Sequence, residues 1–308
     1  MRAPWWRVVG LAALLCALPL AYARGQPEGA VAPEKSAESK RGFLWEVASP
    51  TGKVHLFGSI HLATEDCYPL PATVESAFDD SEQLVVEVDV GEERQAEIAM
   101  MMMARGTLPA EESLADHIPV ALAEQLADYL EGAGIPAATF DRFKPWLVAL
   151  TVAVVEAQKL GLDPALGIER YFLDKAKGTK RVLELESIEE QLDLFDQLPA
   201  ELQQQFLRKT LLEIGELRET MVGAIAAWKS GDSDALQELL FQSLGDAPEL
   251  KPIYDKLFAE RNVKMAETIA GYLGTDSRYF VLVGAGHLVG DDGIVALLEA
   301  RGFRVKRR

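Results

Sequence analysis

Two stretches of the chain, FGSIHLA at 57–63 and VGAGHLVG at 283–290, each run an apolar β-type segment into Gly-x-x-His-Leu. A strand that ends this way delivers an imidazole from rigid scaffold to the rim of a sheet. The glycine lets another backbone approach closely or lets its own adopt positive φ. If the two strands lie side by side, the two histidines converge, although more than two hundred residues separate them.

Around each phrase the pattern is β. FLWEVAS, a turn at PTGK and VHLFGSI predict a hairpin whose second strand ends at the first Gly-x-x-His. RYFVLVG, a helix over DGIVALLEAR and an edge strand in FRVKRR close the chain. PATVESAFDDS predicts a further helix, and EQLVVEVDV a buried strand with Glu87 and Asp89 two residues apart on one side.

Between about 92 and 275 the apolar period changes to 3.6, in segments that open at or near Pro and end in Gly. RVLELE at 181–186 is a β-like interruption. The β elements of the two ends must share a sheet, so the expected fold is α+β (α/β-like). A central β-sheet comes from the N- and C-terminal segments, with a large helical insertion folded over it. Within that insertion PWLVALTVAVV is apolar nearly all round, which predicts a buried central helix too short to span a bilayer. Met100 to Met103 point around their helix, as core packing does.

The first residues stand outside the fold. Arg2 and Arg7 precede VVGLAALLCALPLAYA, and Ala21-Tyr22-Ala23 supplies the small residues a signal peptidase reads, which predicts a signal peptide over 1–23. A disordered linker, rich in Pro, Gly, Ser and charge, is expected over 24–41, and the folded domain over 42–308. The apolar run falls short of the about 20 residues of a spanning helix, so no stable membrane span is expected after cleavage. Leu15 before Cys16 is too bulky for a lipoprotein site. The expected localisation is exported, periplasmic or secreted.

A formal net charge of −17 argues against nucleic acid or anionic lipid as a partner. With Cys16 in the signal, Cys67 has no disulfide partner and no second soft ligand near it, so it reads as a small buried residue.

The chemistry rests on histidine. The chain has four: His55, His61, His117 and His287. Only His61 and His287 follow a strand and a glycine. Two neutral imidazoles and a carboxylate make an open metal site for hydrolysis. Glu87 is the best-placed carboxylate and Asp89 the second. The alternative, two hydrogen-bonded structural residues, has to explain why both sit in one local sequence. His55 lies inside a strand, and His117, in LADHIP, reads as a surface or loop residue. Phosphate-loop, G-x-S-x-G and H-E-x-x-H motifs are absent.

In FGSIHLATEDCYPLP, AFDDSEQLVVEVD, FKPW, GIERYFLDKAKGTKRVLELES with Gln191 after it, AERNVKMAETI and YFVLVGAGHLVGDDGIVALLEARGFRV, the chain resembles the TraB/PrgY/GumN family, to which the animal Tiki metalloproteases are related. The resemblance runs from about Phe43 to Val305. It implies a metal-dependent hydrolase in which His61, His287 and Glu87 form the active centre around a divalent ion such as Mn²⁺, Co²⁺ or Zn²⁺. Arg261 and Asn262 match an RN pair on a helix facing that centre, where a guanidinium could hold a substrate carboxylate or an oxyanion. A salt bridge on the helix surface is the open alternative for Arg261. Glu186 reads either as a further site carboxylate or as a structural anchor.

The function expected is an exported metal-dependent hydrolase, a peptidase of narrow specificity acting on a peptide or small-molecule substrate. Its rival is a non-enzymatic peptide- or metal-binding protein using the same cleft.

Overall fold

The computed structural model describes residues 42–212, 214–246 and 251–308. The expected signal peptide and linker lie outside them. Six strands form one sheet: β1 (Leu44–Ala48), β2 (Lys53–Ser59), β3 (Gln83–Val86), β4 (Arg181–Glu184), β5 (Arg278–Gly284) and β6 (Arg304–Arg307), in spatial order β4-β3-β5-β2-β1-β6. The four strands from β4 to β2 are parallel, while β1 and β6 turn antiparallel at one end. The β-rich ends thus share a sheet, and the fold is α+β.

Covering explains the strand sequences. β2, β3 and β5 read as almost unbroken apolar runs because both faces of a parallel sheet are packed by helices. The helices in chain order are α1 (Ala72–Asp79), α2 (Gln95–Gly106), α3 (Val120–Ala133), α4 (Pro145–Lys159), α5 (Ile168–Ala176), α6 (Ile188–Asp196), α7 (Ala200–Leu212), α8 (Ile214–Ser230), α9 (Ser233–Asp246), α10 (Glu260–Tyr272) and α11 (Ile294–Ala300), four-residue turns being left unlabelled. On one face Phe57 and Phe280 of the sheet meet Phe78 at the end of α1 and Phe172 of α5, with Phe172 and Phe280 centroids 4.8 Å apart. Offset and edge-on ring pairs of this kind add to the burial of their area.

α4 is the buried central helix its composition predicts, every residue from Pro145 to Val154 being buried. It packs on α7 and α8. Its single buried acid, Glu156, accepts from the Tyr129 hydroxyl at 2.8 Å, from Lys159 at 2.8 Å and from Arg218 Nε at 2.7 Å. Among the described residues no helix is long and apolar enough to cross a membrane.

The methionine run divides on α2: Met102 enters the core, whereas Met100 and Met103 are exposed. Cys67 is buried and free. His117 closes a helical turn with its Nε2 2.6 Å from Glu112.

His55 is buried in the middle of β2, paired across the sheet with Glu46 and Phe280, and neither of its ring nitrogens has a hydrogen-bond partner. Burial, reinforced by Lys53, lowers its affinity for a proton below that of an ordinary histidine. The unfolded chain therefore takes up this proton first, and stability falls as pH drops through the ordinary histidine range near ~6.5. We expect urea midpoints to fall from pH 7.5 to 5, and to fall less in His55→Leu. Identical slopes in the two proteins would contradict the assignment.

Candidate active site at the carboxyl ends of the central strands

β2 and β5 are parallel neighbours in a register that places Gly58 beside Val283 and Ser59 beside Gly284. The two Gly-x-x-His segments therefore leave the sheet at the same edge. After β2 the chain passes through Ile60 to His61. After β5 it winds into a short 3₁₀ turn, Ala285–Leu288, that contains His287. Gly58 is required by this meeting, since a Cβ there would lie 3.1 Å from Ala285 Cα, from the Leu288 side chain and from Phe43 Cβ. The first glycine is small because the second histidine turn lies against it.

His287 is fully buried. Its Nδ1 is 2.5 Å from Asn262 Oδ1, and the Asn262 amide is itself oriented by donation from Nδ2 to the Asp292 carbonyl at 2.8 Å. With Oδ1 turned to the ring, Nδ1 carries the hydrogen and Nε2 is left a bare lone pair. That Nε2 is buried without a hydrogen-bond partner, 3.8 Å from Glu87 Oε1. Burial holds the imidazole well below the usual histidine range, and the positive charges of Arg261 and His61 push the same way. His287 is thus a neutral donor.

His61 is built similarly with a stronger partner. Its Nδ1 lies 3.1 Å from Glu169 Oε1, and its Nε2 is buried with no partner. Burial acts to lower its proton affinity, but Glu169, aided by Glu87, outweighs it and the net direction is upward. Glu169 answers in the opposite sense: burial raises it, and His61 with the Ser59 hydroxyl brings it below the usual carboxylate range.

Glu87 follows β3, on the other side of β5. Its Oε1 accepts from the Gly284 amide at 2.5 Å and its Oε2 from Arg261 Nη2 at 2.8 Å. Burial pushes this carboxyl up, with Arg261 and His61 opposing. Arg261 clamps two acids at once: Nη2 also reaches Glu186 Oε2 at 2.6 Å, Nε reaches Glu186 Oε1 at 2.8 Å, and Nη1 donates to the Leu257 carbonyl at 3.0 Å. Gln191 completes the group, its Nε2 3.4 Å from Glu87 and 3.3 Å from Glu186. Of the two uses open to Arg261 in the sequence, the hydrogen bonds seen here are those of a salt bridge, a buried one.

Asp89 does not join this cluster. It accepts from the Gly91 amide at 2.9 Å and closes a local turn. Glu169, conversely, has no assigned role in the sequence reading. The signal was present: Ile168, Glu169, Phe172, Leu173 and Ala176 form the buried face of α5, so a carboxylate stands where the 3.6-residue period calls for an apolar side chain.

Two imidazoles with buried, unpartnered Nε2 atoms, His287 neutral and His61 drawn toward its protonated form by Glu169, each with its Nδ1 against an acceptor, resemble the arrangement of metal-binding histidines. Among the described residues no three His, Cys, Asp or Glu side chains are grouped so as to hold a metal ion. Glu87 has its oxygens engaged by the Gly284 amide and Arg261, which leaves the Nε2 atoms of His61 and His287 as the unpartnered nitrogens of the cluster.

The TraB/PrgY/gumN family matches residues 43–307 of the chain. Among curated proteins the chain is 29% identical over 249 residues to the uncharacterized protein YbaP of Escherichia coli (strain K12), covering 80% of this chain and 87% of that one. It is 25% identical over 275 residues to an uncharacterized protein of Treponema pallidum (strain Nichols), covering 85% and 81% respectively. It is 24% identical over 322 residues to a protein of Amphimedon queenslandica named metalloprotease TIKI homolog, covering 87% of this chain and 62% of that one. No solved structure matches.

Removing one partner of a buried ion pair leaves the other charge unpaired, which costs about 3–5 kcal/mol. Arg261→Met should accordingly lower the stability of the fold by roughly that amount, and Arg261→Lys should recover only part, because an ammonium cannot reproduce the fork of contacts. Denaturant titration checks this; an Arg261→Met midpoint equal to that of the wild type would exclude the clamp.

Proposed function

The chain belongs to the TraB/PrgY/gumN family, and from that premise we propose that it is a metal-dependent hydrolase, a peptidase of narrow specificity. The observation that carries the proposal is the pair of buried, unpartnered Nε2 atoms on His61 and His287, each with its Nδ1 fixed by an acceptor. The name borne by the sponge relative, a metalloprotease homolog, points the same way.

His61 and His287 would hold a divalent ion such as Mn²⁺, Co²⁺ or Zn²⁺, with Glu87 as the third donor. When bound, such an ion supplies Lewis acidity toward a scissile carbonyl and makes water acidic enough to deprotonate near neutral pH. The residues of the chain prepare this in stages. Asn262 holds His287 in the tautomer that presents a lone pair. Glu169 does the same for His61. Arg261 counters the burial of Glu87 and so favours its charged form, and the Gly284 amide aims Glu87 Oε1 toward the histidines. The helices between β3 and β5 would wall the site and set substrate choice. We extend the proposal to an exported protein, with a signal peptide over 1–23, a linker over 24–41 and the hydrolase domain over 42–308.

The test joins metal content to turnover. After equal loading with Mn²⁺, Co²⁺ and Zn²⁺, the wild type should hold one ion per chain by mass spectrometry, and His61→Ala and His287→Ala should lose it while remaining folded. Glu87→Gln should then reduce cleavage of a peptide library by about 10²–10⁴-fold, the scale of a displaced catalytic group. An empty wild type overturns the metal centre. A loaded wild type that cleaves nothing, and whose metal survives Glu87→Gln, makes the chain a binding protein.

A further inference from the structure

The two histidines are not equivalent in their support. His287 is backed by a neutral amide, His61 by a carboxylate that is itself buried, and that difference is built by residues far apart in the chain. Glu169 is 4 % exposed, on the second position of α5. It sits where it does because α5 begins against the first histidine segment. Ile168 N donates to the Ile60 carbonyl at 3.0 Å, and a Cβ on Gly167 would lie 2.4 Å from the His61 carbonyl oxygen. Contact with backbone at that distance cannot be relieved by moving a side chain, so only glycine allows the helix to start there.

The carboxylate is then aimed. Its Oε1 accepts from the Ser59 hydroxyl and lies 3.1 Å from His61 Nδ1, while Oε2 is buried with no partner. Among the described residues, none of the cationic side chains that pair with the other buried acids is paired with this one. Glu87 and Glu186 share Arg261, and Glu156 has Lys159 and Arg218. Glu169 has His61. The carboxylate meets the imidazole at Nδ1, which leaves Nε2 as the buried nitrogen without a partner.

We infer that Glu169 is a positioning residue: its carboxylate fixes the ring orientation and tautomer of His61 and so determines that Nε2 is the atom offered to a metal ion. The inference rests on the proposed metal centre for its consequence, but the orientation of His61 is a property of the metal-free chain. In other metal sites the loss of such an outer carboxylate weakens metal binding by about 10–100-fold.

The experiment has two arms. In the first, the metal-free chain labelled with ¹⁵N-histidine is examined by NMR at alkaline pH, where the neutral tautomer of each ring is read from its nitrogen shifts and two-bond couplings. His61, assigned from the loss of its signal in His61→Ala, should carry its hydrogen on Nδ1 in the wild type and become a mixture of tautomers in Glu169→Ala. In the second, Co²⁺ and Zn²⁺ are titrated calorimetrically into wild type, Glu169→Ala and Glu169→Gln. Affinity should fall about 10–100-fold in Glu169→Ala. It should fall less in Glu169→Gln, whose amide oxygen still accepts from Nδ1 but carries no charge.

Glu169→Gln keeps the shape of the side chain and decides the matter if Glu169→Ala does not fold. Binding within twofold of wild type in every folded variant, or an Nε2-protonated His61 in the wild type, overturns the inference while leaving a metal-binding wild type intact. A wild type that binds neither ion removes the metal centre, and the tautomer arm still decides the role of Glu169.

Discussion

The parallel pairing of β2 with β5 is the constraint on which the rest depends. In sequence these strands are the two ends of the domain; in the sheet they are adjacent, with Ser59 opposite Gly284. Each carries a glycine at or next to its last residue with a histidine three residues on, so the pairing brings both histidine segments to one edge. Each is within electrostatic reach of Glu87 or of the other. A one-residue slip would turn every side chain of a strand to the opposite face. The packing of Gly58 under Ala285 and Leu288 resists such a slip. Long-range pairing of this kind closes the loop that contains the helices of the insertion, an arrangement that slows folding.

Around that edge the charges are arranged in closed groups. Arg261 bridges Glu87 and Glu186, Glu169 faces His61, and Asn262 joins His287 to the Asp292 backbone. Burial would neutralise each of these groups in isolation, since an unpaired charge in the interior is strongly unfavourable. Pairing lets carboxylate and guanidinium remain in a dry site. The adjacent residues Arg261 and Asn262 serve different partners, the first the acid beyond β5 and the second the histidine after it, and a π-helical segment, Asp255–Ala259, precedes them on the same rod. Such irregular turns commonly occur where a helix must present side chains that a regular register would misplace.

Much of this is legible in the sequence. The repeated Gly-x-x-His phrase, the β-rich ends and the change of period between them are enough to place both histidine strands in one sheet. The isolated acid in LVVEV marks Glu87, because a buried parallel strand otherwise tolerates only apolar residues. The apolar circumference of α4 marks it as central.

What the sequence conceals is partnership. Glu169 lies 108 positions after His61 by number, and only the docking of α5 on the Ile60–His61 backbone reveals what it does. Arg261 reads equally as substrate clamp or salt bridge until Glu87 and Glu186 are seen on the same guanidinium. Asp89 shares the strand side of Glu87 by parity, but the chain leaves the sheet after Val86, so the alternation that would bring it to the site no longer applies. His55 is a strand residue in either account; its burial depends on helices that no local pattern names.

The central claim is that the two Nε2 atoms are ligands of a single ion. X-ray absorption at the metal edge of the Zn²⁺- or Co²⁺-loaded chain tests it directly, because the outer-shell scattering of imidazole rings counts the histidines bound to each ion. The account predicts two imidazoles per ion in the wild type and one in whichever of His61→Ala and His287→Ala retains metal. An ion surrounded only by oxygen, or a two-imidazole spectrum unchanged by either substitution, would contradict it.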